Sequence, residues 1–80
     1  MSDTPDAARP EPTVDEQYPI LRYFEYGHLP QRLRLVSEPF CHLATAIAET
    51  LPRGPETAVA LRKMLEAKDA AVRSALDADQ

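Results

Sequence analysis

Apolar residues recur along positions 29–76 with the period of a helix surface rather than that of a strand. Leu29, Leu33, Val36, Phe40, Leu43, Ile47 and Leu51 follow one another by steps of four and three, closing on a step of four. That spacing lines one face of an α-helix. The run Pro52-Arg53-Gly54-Pro55 cannot continue it and predicts a tight connection. Beyond the connection, Ala58, Leu61, Leu65, Val72 and Ala75 trace a second stripe, with Lys68 standing where the pattern expects another apolar side chain. The pattern predicts an all-α fold in which a short N-terminal helix precedes an antiparallel hairpin of two amphipathic helices. Two helices of this length meet along one seam, so much of the apolar surface of each stays wet in a monomer. A homo-oligomer is expected.

The ends of the pattern set the domain boundaries. Residues 1–17 carry Pro5, Pro10 and Pro12 among small and charged residues, with Val14 the one large aliphatic side chain after Met1. Such a stretch buries too little apolar surface to offset the entropy of ordering, and a disordered tail is expected there. The domain proper is expected over 18–80. It opens with Tyr18-Pro19-Ile20-Leu21-Arg22-Tyr23-Phe24-Glu25-Tyr26-Gly27-His28, which holds four of the five aromatic residues of the chain. Pro19 suits a first helical turn and Gly27 suits a position just past a helix end, so a short helix over 19–26 is predicted. On it Ile20, Tyr23 and Phe24 are expected to face the hairpin, leaving the Tyr26 ring beside His28 free to face a pocket. Pro30 opens the first long helix, where its missing N–H costs little. Pro39 falls inside the run, yet the periodicity continues in phase through it. One kinked helix is therefore expected in preference to a second helix capped by Ser37.

Length and charge narrow the functions. With 80 residues the chain forms one domain at most, and with one cysteine it has no internal disulfide to staple a small core. Association with further copies is the remaining way to add core. The formal net charge of −4 disfavours a protein held on duplex DNA by general phosphate attraction. No apolar run approaches the roughly 18 residues of a membrane span, and no signal-peptide pattern opens the chain. A soluble, cytoplasmic protein without a cofactor is expected.

Catalysis fits poorly. Ser37, Cys41 and His42 lie within about a turn of each other, but His42 directly follows Cys41 and points roughly 100° away on a helix. Cys41 reads as a small packing residue. His28 and His42 lack the spacing of a metal pair. The cations of the second helix are more informative. Arg62 and Lys63 have no dedicated carboxylate, Arg73 reads as a solvated residue, and Lys68 on the seam has to reach solvent, a carboxylate or a phosphate. An aromatic cluster beside helix-borne cations and a hydroxyl such as Ser37 suits a nucleotide, whose bases stack on rings and whose phosphates accept from Arg, Lys and hydroxyls.

These residues also carry a family likeness. Phe24-Glu25-Tyr26-Gly27-His28-Leu29-Pro30, the apolar helix ending in Leu51-Pro52, and Pro55-Glu56-Thr57-Ala58-Val59-Ala60-Leu61-Arg62-Lys63-Met64-Leu65-Glu66-Ala67 together resemble the small phage helical-hairpin proteins that act as anti-CBASS cyclic-nucleotide sponges. The likeness covers about residues 23–76 and rests on the order and spacing of the segments. It implies interlocked dimers combining into a hexamer. It implies no catalysis, but sequestration of the cyclic di- and trinucleotide second messengers of bacterial immunity. Under it Tyr26 matches the tyrosine that stacks on a base, Lys63 matches a basic position, and Arg62 or Lys63 is expected on phosphate. The chain departs from the family at Ala70, where many relatives carry tryptophan, and around Ser37, where some carry a basic residue and this chain has Arg34 nearby. The expected ligand set is Tyr26, His28, Arg34, Ser37, Arg62, Lys63 and Lys68. A different class of function competes with this one: a protein-protein adaptor whose spare apolar stripe docks on a partner helix.

Overall fold

The structure, a computed structural model, describes residues 13–78. Over that range it is all-helical, with no strand among the described residues. The elements are a single turn α1 (Val14–Gln17), a 3-10 helix (Pro19–Phe24), and two long helices α2 (Gln31–Thr50) and α3 (Pro55–Asp77). The long helices pack on each other and the 3-10 helix lies against both.

The aromatic run winds more tightly than expected. Helix was predicted over 19–26, whereas the observed segment is a 3-10 helix ending at Phe24. With three residues per turn, positions three apart eclipse one another, and Tyr18, Leu21 and Phe24 are the buried ones, at 8%, 4% and 0% exposure. The same period turns Tyr23 out to 54% exposure, correcting the expectation that it faces the hairpin. Ile20 packs against the core from its edge.

Residues 14–17, expected within a disordered tail, form the helical turn α1. Thr13 caps α1 in a reciprocal box: its hydroxyl accepts from the Glu16 N–H at 3.2 Å, and the Glu16 carboxylate accepts from the Thr13 N–H at 2.9 Å. These bonds satisfy two donors that a bare helix start leaves open. Val14 then packs on the core. Residues 1–12 lie outside the described range.

Helix α2 begins after Pro30, whose carbonyl accepts from the Leu33 and Arg34 N–H groups. Pro39 sits within one uninterrupted helix, as the unbroken periodicity predicts. The buried face, however, is turned from the predicted one. Leu33, Ser37, Ala44 and Ala48 are its buried residues, with Phe40, Cys41 and Ile47 packed at its edges. Leu43 and Leu51, assigned to the seam by periodicity, stand 53% and 46% exposed. Residue size explains the turn. Ser37, Cys41, Ala44 and Ala48 form a strip of small side chains, which lets a neighbouring helix approach closely enough for large side chains from the other side to fill the gap.

Those fillers come from α3. Residues 51–54 connect the helices, and Thr57 ties α3 to them by donating its hydroxyl to the Pro52 carbonyl at 2.7 Å. Leu61 is fully buried, and Met64 and Leu65 pack beside it. Thr57 takes the inward place expected of Ala58, which is exposed. Leu61 shares one buried cluster with Ala44 and Ala48, a large side chain from α3 among small ones from α2.

Candidate functional site

Beyond the core, the loop after the 3-10 helix and the second half of α3 diverge around a cleft of about 420 Å³. Its walls differ in origin. The aromatic run supplies Arg22, Tyr23, Glu25 and His28, with Leu29 just after it, and α3 supplies Lys68, Asp69, Val72 and Arg73. On α3 these positions recur at intervals of one and four, so a single strip of helix surface presents them.

Lys68 occupies its seam position with only 13% of its side chain exposed, and its Nζ reaches Asp69 Oδ1 at 3.0 Å. This satisfies the requirement that a half-buried ammonium find a carboxylate, a phosphate or water. On the opposite wall the Arg22 guanidinium lies 5.2 Å from the centre of the Tyr23 ring, a cation-π contact that holds a flexible side chain in place. Arg22, Lys68 and Arg73 outnumber Glu25 and Asp69 in the lining, so the cleft carries a positive balance on a chain that is acidic overall. That balance suits an anion, and the exposed face of Tyr23 suits a flat ring.

A second hollow of about 450 Å³ lies between α1, the 3-10 helix and α2. Asp15, Glu25 and Glu49 line it around Cys41, with Arg22 the one cation in the lining. Burial pushes the Cys41 thiol above its usual value; the Asp15, Glu25 and Glu38 carboxylates push the same way, while a hydrogen bond with Thr45 pulls it down. The thiol therefore stays protonated at neutral pH and is a poor nucleophile. This hollow repels anions.

The expected ligand residues do not converge in one chain. His28 and Lys68 meet in the cleft. Tyr26 does not open onto it: the ring is half-buried, edge-on to His42 with centroids 6.0 Å apart, and its hydroxyl lies 3.4 Å from His42 Nε2. Glu38 approaches the same nitrogen at 3.6 Å. Ser37 is fully buried, and its hydroxyl has no hydrogen-bond partner within the described residues. A ligand does not reach it while the helices stay closed, which corrects its place among surface contacts. Arg34, Arg62 and Lys63 are exposed and line neither hollow.

Sequence reasoning missed Arg22, Tyr23, Asp69 and Arg73 as lining residues. The signal for Asp69 and Arg73 was present, since a seam lysine followed by a carboxylate and, one turn on, an arginine already marks one face of α3. Arg22 had no such signal, because only the tight 3-10 winding decides which way it points. Among the described residues no group of three or more His, Cys, Asp or Glu side chains is arranged to hold a metal ion, and no helix is long and apolar enough to cross a membrane. Comparison of the chain with protein-family models, curated proteins and solved structures finds no match.

Proposed function

We propose that this chain is a non-catalytic sponge: it binds cyclic di- or trinucleotide second messengers and withholds them from the effectors of CBASS-type anti-phage signalling in the bacterial cytoplasm. The observation that carries the reading is the cleft in which Arg22, His28, Lys68 and Arg73 gather beside the Tyr23 ring. Phosphodiester oxygens accept from guanidinium and ammonium groups, and a base stacks on the tyrosine face. At about 420 Å³ the space is within the range of small-molecule sites. The likeness of the 23–76 segment to phage hairpin sponges supports the same class of ligand.

Sequestration requires affinity without turnover, and the groups in this cleft suit it. Charge and stacking hold the ligand, and the one thiol of the chain lies in the acidic hollow with its reactivity suppressed by burial. As a sponge, the protein assembles as a helical-hairpin homo-oligomer of dimers joined into a hexamer. Tyr26, Arg34, Arg62 and Lys63, which do not meet within one chain, then act between chains. The test is thermal unfolding with and without a panel of cyclic di- and trinucleotides. Stabilisation by at least one of them is expected, and no shift with any member of the panel would refute the reading.

A second reading, the adaptor, draws on the exposed Leu35, Leu43 and Leu51 side chains. It predicts a nucleotide-blind chain that stays monomeric or dimeric until a partner helix is added.

A further inference from the structure

The cleft that gathers Arg22, Lys68 and Arg73 also holds two carboxylates, Glu25 just past the 3-10 helix and Asp69 on α3. In a site for a bare anion each of them would subtract from affinity, because a carboxylate repels phosphate as a guanidinium attracts it. An ionised carboxylate accepts hydrogen bonds and donates none. The mixed lining therefore fits a ligand that carries phosphate on one part and N–H donors on another.

The two carboxylates are not equivalent. The Lys68 ammonium donates to Asp69 Oδ1 at 3.0 Å, which commits that carboxylate to the seam. Glu25 is exposed, two residues beyond Tyr23 on the same wall. It lines the acidic hollow as well as the cleft. Toward the hollow it meets Asp15 and Glu49, toward the cleft Lys68 and Arg73, with Arg22 on both sides. Charge draws it into the cleft. The Tyr23 ring, with Arg22 5.2 Å from its centre, is still 54% exposed, so a base can stack on it close to that carboxylate.

The nucleobases differ in what they offer a carboxylate. Guanine presents two adjacent donors on one edge, N1–H and the 2-amino group, which match both carboxylate oxygens. Adenine sets the lone pair of N1 beside its 6-amino group, and cytosine sets that of N3 beside its 4-amino group. One carboxylate oxygen then meets a lone pair. Uracil places a single N–H between two carbonyls. Resting on the reading that this cleft takes a cyclic nucleotide, we propose that it selects guanine: Glu25 accepts from N1–H and the 2-amino group of a guanine stacked on Tyr23, while Arg22, Lys68 and Arg73 hold the phosphodiester. Glu25 thus sets specificity rather than overall affinity.

The test is calorimetric titration of the intact protein with cyclic di-GMP, cyclic di-AMP and cyclic di-IMP, whose hypoxanthine keeps N1–H and lacks the 2-amino group. Affinity is expected to fall in the order guanine, hypoxanthine, adenine, with at least about tenfold between the first and the last, as for a hydrogen bond to a charged group. Glu25→Gln replaces one acceptor oxygen by an N–H donor at an exposed site. Loss of a negative charge there strengthens every anionic ligand alike, so the readout is the ratio of guanine to adenine affinity. That ratio should approach unity while the helical circular dichroism is unchanged. Equal affinities in the unaltered protein, or a guanine preference that survives Glu25→Gln or vanishes with Asp69→Asn instead, would overturn the selection and leave the sponge reading in place. Binding of adenine-only cyclic nucleotides without binding of cyclic di-GMP would do the same. No binding by any cyclic di- or trinucleotide would refute the sponge reading itself, and the selection with it.

Discussion

The Tyr26 hydroxyl stands 3.4 Å from His42 Nε2, with the two rings edge to face at 6.0 Å. This contact ties the loop before α2 to that helix. Tyr26→Phe keeps the ring and gives up a long, exposed hydrogen bond, so its cost in unfolding free energy should stay within about 1 kcal/mol. Tyr26→Ala should abolish or strongly weaken nucleotide binding while the mass in solution stays unchanged. Retained affinity in the alanine variant would remove Tyr26 from the ligand set.

Ser37 offers a sharper test of the helix seam. Its buried hydroxyl has no partner within the described residues, and an unsatisfied buried hydroxyl costs on the order of 1 to 3 kcal/mol. Ser37→Ala should therefore stabilise the protein by up to about 1 kcal/mol, since some relaxation offsets the rest, and should leave ligand affinity intact. Ser37→Leu should destabilise by about 1 to 3 kcal/mol through overpacking. Chemical denaturation of both variants measures the pair of opposite signs.

Leu61 carries the centre of the α2 and α3 contact, at 0% exposure. Leu61→Ala should cost about 2 to 5 kcal/mol, enough to threaten folding in so small a chain. Val59, two residues away and 39% exposed, should cost roughly 0.5 kcal/mol or less as Val59→Ala.

The two predicted long helices, their connection and the survival of α2 through Pro39 were all legible from periodicity and from the placement of proline. What misled was the weight given to large side chains. A stripe drawn through Leu43 and Leu51 ignores that Ser37, Cys41, Ala44 and Ala48 make a better groove for Leu61, and size matching across a seam is a property of two helices that one helix does not display. The aromatic run went astray for a related reason. A period of three instead of 3.6 exchanges Tyr23 for Leu21 on the inner face, and proline punctuation does not distinguish the two windings. Lys68 was the legible part of the cleft, because a charge in an apolar stripe needs an explanation. Its companions Arg22 and Tyr23 became visible only once the chain was folded.

Lys68→Met retains the seam packing and removes the charge. Its partner Asp69 is about half exposed, so the pair adds little to stability, on the order of 1 kcal/mol or less, and the melting temperature should barely move. Ligand affinity should fall by at least tenfold, and raising the salt from 0.05 to about 0.5 M should weaken the unaltered protein in the same direction as charges are screened. An affinity indifferent to both changes would take the phosphate away from this cleft.

Cys41 gives a pH signature. Its thiol lies above the ordinary value when folded, so the stability it contributes is complete below the ordinary thiol range and declines as pH rises through the folded value, where the unfolded chain already carries thiolate. Alkylation of the native protein at neutral pH should be much slower than that of the denatured chain. Equal rates would mean that Cys41 is neither buried nor surrounded by carboxylates.

The most direct measurement is a calorimetric titration of the intact protein with individual cyclic di- and trinucleotides, followed by heat denaturation and chromatography of the released ligand. Saturable binding with the cyclic nucleotide returned chemically unchanged is the predicted result. Absence of heat for every ligand, or recovery of a linearised product, would contradict it.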